Sequence, residues 1–428
     1  MKSLTISGKK LTNFILYFTI IMNFLIDIMK LPSSITYIND FCIILILLIS
    51  RFKILKKTNN KEYIIVAILM YFLISIMTSI INFVPIRLVV YAIRNTFRGI
   101  IYFFAVIYYY DLNDIKKIFD NLFWFQVINF ILALLEFFIL HTDQDSTNGI
   151  FGIGANGGNA ICFSTLISAY YINYYLKNKE GKTLAKLLIV LFTTIVHAAI
   201  GEQKIYFFNL AIFIIASIII LKFSIKKAVL SLFLIGVLFL GLIIIKKVYP
   251  TMYETMIDLN KLLLYSETIY ESGYGIPRIG AFKFINKKIF DNDKKRELIG
   301  MGFGNCEYSS MPIFCSNFYK IYGDYNYRWF THQWIYLEEG MIGFISFVMI
   351  FITIMCTLFY RFIKTKNEFE KTLILTSIYI GVYCIISIWY NSTLKTDCQY
   401  LFYFGLALGF IKSKSIIKKK SRKEETND

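Results

Sequence analysis

Apolar runs recur from one end of the chain to the other, separated by short polar turns. Twelve of them lie at residues 11–29, 34–50, 62–83, 88–110, 119–140, 158–176, 184–201, 204–222, 227–246, 332–360, 372–390 and 398–412. Each approaches the ~20 residues that a helix needs to cross ~30 Å of hydrocarbon. A segment in lipid must satisfy its own backbone polar groups, so such runs fold as helices. The sixth and seventh are interrupted by Tyr, Asn and Thr. Between the ninth and tenth the pattern changes: residues 247–331 form a polar stretch of about 85 residues, rich in Tyr, Phe, Trp and Gly. A loop much longer than ~15 residues in a compact protein is usually functional or disordered, and the aromatic content predicts that this one folds. Within it, Arg278–Phe290 reads as a helix. There Ile279, Phe282, Phe284, Ile285, Ile289 and Phe290 form an apolar surface beside Lys283, Lys287 and Lys288. The expected fold class is an all-α integral membrane protein of about 12 transmembrane helices. It is a single polytopic membrane domain over residues 1–428, with one large extracytoplasmic loop (247–331) between spans 9 and 10 and a basic cytoplasmic tail (412–428).

Composition narrows the class. Of 428 residues, 57% are hydrophobic and 17% charged, against ~25% charged in a typical soluble domain; the mean hydropathy is +0.58. A soluble enzyme, a disordered chain and a secreted disulfide scaffold are excluded. The net charge of +18 is read as a topology signal and an attraction to anionic membrane lipids, with no nucleic-acid partner. Lys and Arg gather at Lys2 to Lys10, Arg51 to Lys61, Lys116 and Lys117, Lys177 to Lys186, Lys222 to Lys227, Arg361 to Lys371 and the tail from Lys412, while the alternate short loops hold almost none. With both termini cytoplasmic, each of these basic segments lies inside and residues 247–331 lie outside, whose own bases do not oppose this because long loops translocate regardless of charge. Seven Cys are scattered without metal-ligand spacing; Cys306 and Cys315 are candidates to pair if exported. No internal repeat is visible, which disfavours an inverted-repeat transporter.

Few residues are suited to chemistry. Of three His, His332 opens the tenth span directly after the large loop, with Tyr336, Glu339 and Gly343 following at helical spacing; His is the side chain that takes and gives a proton near neutral pH. His141 and His197 sit at span ends. In the fourth span Arg87, Tyr91, Arg94 and Arg98 form one stripe, and at 1.5 Å per residue Arg98 lies ~15 Å below Arg87. Arg94 and Arg98 there need a partner, either a carboxylate such as Glu136 or an anionic ligand. Glu202 and Lys204 lie at the turn between spans 7 and 8, as a plain turn or facing a shared cavity. In the large loop, Gly302 and Gly304 permit close backbone approach to a ligand. Asp291-Asn292-Asp293 mimics a metal-binding pair but, beside Lys294, Lys295 and Arg296, reads as a solvated turn.

Several of these features come together in a known pattern. Arg278, Gly302-x-Gly304, His332 opening a span and Glu339-Gly340-Met341-Ile342-Gly343, with a large loop before the third-last span, resemble the bacterial O-antigen polymerase and O-antigen ligase superfamily. Gly149-Ile150-Phe151-Gly152 with Asn156 to Asn159, and Glu202-x-Lys204, have counterparts in the family's earlier motifs. The resemblance implies a glycosyltransferase in the bacterial inner or plasma membrane. Its donor would be an undecaprenyl-diphosphate-linked oligosaccharide, transferred with inversion and with neither a nucleotide sugar, a metal nor another cofactor. It implies His332 and Arg278 as catalytic residues, and Lys204, Glu202, Arg94, Arg98, Gly302, Gly304, Gln333, Tyr336 and Glu339 at the substrate. Gln333 stands where ligase-type members often carry Asn, and Lys204 where they usually carry Arg, which favours the polymerase branch making O-antigen, capsule or exopolysaccharide. A flippase and a chain-length regulator are the partners implied. Alternatives are a ligase that transfers glycan to lipid A core and, from another class, a polysaccharide flippase. A non-catalytic scaffold would leave Arg94 and Arg98 unexplained.

Overall fold

The computed structural model describes residues 7–56, 62–154, 156–177, 181–220, 225–267, 275–396 and 398–412. The basic tail from residue 413, parts of the inner basic turns (57–61, 178–180 and 221–224) and residues 268–274 of the large loop lie outside the described residues. Among the described residues every regular element is helical. Twelve principal helices run in chain order: α1 Gly8–Asp27, α2 Tyr37–Ser50, α3 Glu62–Ile81, α4 Ile86–Tyr109, α5 Leu112–Phe138, α6 Gly157–Lys177, α7 Gly181–Ile200, α8 Lys204–Ile220, α9 Ile225–Val248, α10 Thr331–Lys364, α11 Glu368–Tyr390 and α12 Gln399–Leu408. Eight of the described helical segments are long and apolar enough to cross a membrane: α1, Ser33–Ser50, α3, α4, α5, α7, α10 and α11. The chain is thus an all-helical protein of multi-pass membrane character.

Local chemistry explains where the boundaries differ from the hydropathy pattern. The fifth helix starts at Leu112 rather than at 119, because Asp111 and Asp114 form a capping box that satisfies the first N–H groups. The tenth span is not one continuous helix. Gly340, at φ 63° and ψ −161°, breaks α10 after its third turn. At the break a side chain on Gly340 would collide with the Leu298 and Ile299 backbone, and one on Gly300 with Glu338 and Glu339. Two glycines thus let the loop backbone lie directly on the broken helix. Met301 and Gly302 donate their N–H groups to the Leu337 and Glu338 carbonyls, both at 2.8 Å, and so supply partners that the break would otherwise leave missing.

α10 packs against α11 and α3, α12 against α4, and α6 against α7 and α11. The large loop carries its own core. Ile276, Ala281, Ile285, Phe290, Cys306, Phe318 and Tyr327 bury themselves on Trp334, Tyr336 and Leu337 of the first turns of α10. The amphipathic segment expected at Arg278–Phe290 is a helix over Ala281–Lys288. Asp293 caps the next short helix, Lys294–Ile299, with its carboxylate on Lys295 N–H, so the Asp291-Asn292-Asp293 segment is a turn. Cys306 is buried, Cys315 half-buried, and both are free thiols.

Candidate active site

The start of α10 is held by α11. Thr331 donates through its N–H (2.9 Å) and its hydroxyl (2.8 Å) to the carbonyl of Asn391. That fixes His332, which is 1% exposed. Its Nδ1 lies 3.1 Å from the Ile388 carbonyl and its Nε2 3.2 Å from the Arg278 carbonyl. A neutral imidazole carries one N–H, so it can donate to only one of these oxygens, whereas the imidazolium donates to both. Phe282, Phe330 and Trp389 surround the ring, with centroids 5.9–6.1 Å away.

His332 borders a cavity of about 220 Å³ whose wall also includes Arg278, Lys283 and Trp389. The Arg278 guanidinium lies over the rings of Phe330 (4.9 Å) and Tyr390 (5.7 Å), a cation–π arrangement that holds its plane. Among the described residues, the charged lining is Arg278 and Lys283, without a carboxylate. Next to His332, Gln333 donates its amide to the Ile276 and Pro277 carbonyls, each at 3.2 Å. Its Oε1 is buried with no hydrogen-bond partner. The Tyr336 hydroxyl donates to Asn286 Oδ1 at 2.7 Å, and its ring stacks on Phe282 at 4.2 Å. Arg278, distant in sequence, thus meets His332, Gln333 and Tyr336 between α10 and residues 276–286.

The opposite side of α10 has a different character. Lys395 and Glu338 form a fully buried ion pair at 2.6 Å, with Glu307 at 3.9 Å. Burial disfavours the Lys395 ammonium, but the Glu338 and Glu307 carboxylates outweigh it and raise its pKa. Burial and the nearby Glu338 charge push the Glu307 carboxyl up to about 7, against the pull of Lys395. Glu338 also accepts from the Gly304 N–H at 3.1 Å, and Glu307 from Asn95 at 2.9 Å. Gly302 and Gly304 have φ of 97° and 91°, and a Cβ on either would strike the α3–α4 corner at Val84 or Leu88. The close approach that these glycines allow is therefore to the protein's own α3–α4 corner, to the Val84 side chain at Gly302 and to the Leu88 backbone at Gly304. Glu339 accepts from Tyr71 (2.7 Å) and Ser75 (2.8 Å) of α3, so its carboxylate faces away from the cavity that His332 borders.

Arg94 and Arg98 find their carboxylate in Asp40 of α2, at 2.6 Å and 3.3 Å. Glu136, the carboxylate offered as an example of a partner for them, instead accepts the backbone N–H groups of Asn148 (2.8 Å) and Gly149 (2.7 Å). Glu202 and Lys204 pair with each other at 2.9 Å across the α7–α8 turn. His197 is buried against Asn129 (3.1 Å) and the Thr147 carbonyl (3.3 Å).

Sequence reasoning missed Lys395, Glu307, Glu338 and Asp40. A signal existed for Asp40, the single carboxylate in the second apolar run, since two buried Arg demand an acid. Lys395 gave none, because Leu394-Lys395-Thr396 reads as an ordinary turn between spans. No protein-family model matches the chain, and no curated protein matches it.

Proposed function

We propose that the chain is a membrane-embedded polysaccharide polymerase that joins undecaprenyl-diphosphate-linked repeat units by inverting glycosyl transfer. In this reading twelve helices span a bacterial inner or plasma membrane, both termini are cytoplasmic, and the large loop with the mouth of α10 lies at the outer surface. The observation that carries the proposal is the cavity where Arg278, Lys283 and His332 converge. Two cations suit a leaving group that departs as a diphosphate, and Arg offers a planar fork for its oxygens. With its proton on Nδ1, donated to the Ile388 carbonyl, His332 turns the lone pair of Nε2 toward Arg278. An acceptor hydroxyl gives its proton to Nε2 as its oxygen bonds the anomeric carbon. The bond from that carbon to the diphosphate oxygen breaks, and the electron pair leaves with the lipid diphosphate. The imidazolium so formed donates to two carbonyls, Ile388 through Nδ1 and Arg278 through Nε2.

The test is reconstitution with a lipid-linked repeat unit, reading polymer length at matched protein level. A positioned base contributes 10²–10⁴-fold. His332→Ala is expected to insert, bind donor and lose at least ~100-fold in chain formation. His332→Gln, which hydrogen-bonds but takes no proton, is expected to be nearly as poor. An active Gln variant beside an unstable Ala variant would make His332 a packing residue and overturn the assignment.

A further inference from the structure

A second cavity lies away from His332. The loop after α5 and the chain leaving α9 enclose a cleft of about 800 Å³, lined by Phe137, Phe138, His141, Asp143, Asp145 and Tyr249 among others. This is within the range of small-molecule sites and nearly four times the volume of the His332 cavity. Its chemistry is the reverse of that cavity's. The described lining carries two carboxylates and neither Lys nor Arg, so an anionic diphosphate is repelled from it.

The loop is built from below rather than left to drift. Glu136, buried in α5, receives the N–H groups of Asn148 and Gly149. Asn129, also buried, receives that of Ile150 at 3.0 Å. His197 faces the Thr147 carbonyl, and Thr142 and Thr147 join their hydroxyls at 2.8 Å. On the other wall the Tyr249 hydroxyl donates to the Ile200 carbonyl at 2.8 Å. Burial and the Glu202 and Asp145 carboxylates push that phenol up to about 12, so Tyr249 remains a neutral aromatic face and the cleft adjoins the Glu202–Lys204 turn. Aromatic faces receive the C–H face of a pyranose, and exposed carboxylates accept charge-assisted hydrogen bonds from its hydroxyls.

We propose that this cleft binds the acceptor glycan, with uncharged or amino sugars favoured over uronic or phosphorylated ones. The proposal rests on the polymerase reading, because it assigns the cleft to the chain being extended. It divides the outer surface into an acidic, aromatic region for sugar and a cationic one for diphosphate.

The test applies purified full-length protein in detergent to an array of bacterial surface oligosaccharides sorted by charge. Binding confined to neutral or amino-sugar glycans is expected. Asp143→Asn with Asp145→Asn should weaken it at least ~10-fold, and both positions are exposed, so the fold is retained. No glycan bound, anionic glycans bound preferentially, or binding unchanged in the double variant would each overturn the proposal. Chain formation from lipid-linked repeat units is measured in parallel. Normal polymer without glycan binding would remove the cleft and leave the polymerase. Glycan binding that needs Asp143 and Asp145, without polymer under any condition, would remove the polymerase reading and leave a glycan-binding cleft.

Discussion

The two sides of the first turns of α10 bear charged groups of equal prominence but opposite circumstance. On one side His332, Arg278 and Lys283 border a void. On the other, Lys395, Glu338 and Glu307 are buried together, with the Lys395 ammonium 4.3 Å from the Trp334 ring. A buried charge has to be matched where it stands. Lys395 is matched by protein carboxylates, so its work is to hold α10, the loop after Ile299 and the turn after α11 in one register. Arg278 and Lys283 stand on the wall of a cavity, where an entering anion would meet both. Charge buried against opposite charge serves as a joint, whereas cations beside a space are the groups that the proposed reaction uses.

The comparison is broken most severely at the joint. Removing one member of a buried pair strands the other, at about 3–5 kcal/mol. Lys395→Ala and Glu338→Ala are each expected to lower the thermal midpoint of the purified protein far more than any change at the cavity. The double variant Lys395→Met with Glu338→Gln, which removes both charges, should recover much of that loss. A double variant no better than the singles would show that the pair is not coupled and that α10 is held elsewhere.

At the cavity the same kind of change should act on turnover rather than on stability. Arg278→Ala is expected to reduce chain formation by about 10- to 100-fold, the loss of a charged hydrogen-bonding contact of ~1.5–3 kcal/mol, with the thermal midpoint nearly unchanged. Arg278→Lys should recover little, because an ammonium does not reproduce a planar fork. Lys204 is not among the described lining of that cavity and pairs with Glu202 at the α7–α8 turn, so Lys204→Ala should have a smaller effect and Lys204→Arg, which keeps the charge beside Glu202, should restore it. Normal product from both alanine variants would remove these residues from the reaction.

Hydropathy made the helices legible, because a twenty-residue apolar run has few alternatives to being a helix. It did not reveal the break in α10, which requires Gly300 and Gly340 to meet across forty residues of chain. His332 stood out because it directly follows the one long polar segment, and Arg278 because it opens the amphipathic stretch within that segment. The Lys395 cluster was invisible because its members come from the turn after α11, the large loop and α10, brought together only by tertiary packing. Asp40 is intermediate: it pairs with Arg94 and Arg98 from more than fifty residues away, yet its isolation in an apolar run marked it. Gly302 and Gly304 were legible as sites of close approach, but the sequence did not say what approaches; the α3–α4 corner does.

The subtlest expected effect concerns Glu307, the least firmly matched member of the joint. Its Oε1 has no hydrogen bond, and Lys395, at 3.9 Å, is closer to Glu338. Burial and the Glu338 charge raise its carboxyl from the ordinary 4.5 to about 7. Between those two values the folded protein holds a proton that the unfolded chain has released. Stability linked to Glu307 is then fully present below about pH 4.5, declines as pH rises toward 7 and is flat above it. Glu307→Gln keeps the Asn95 contact within reach and removes the titration. The wild-type thermal midpoint should therefore fall more steeply than that of Glu307→Gln between pH 5 and 7, and the two curves should run parallel above pH 7.5. Identical slopes across the whole range would mean that Glu307 stays ionised in the folded protein, with the Lys395 ammonium shared between two carboxylates. In that case the joint would carry a net negative charge that Arg328, whose field also reaches Glu307, would have to offset.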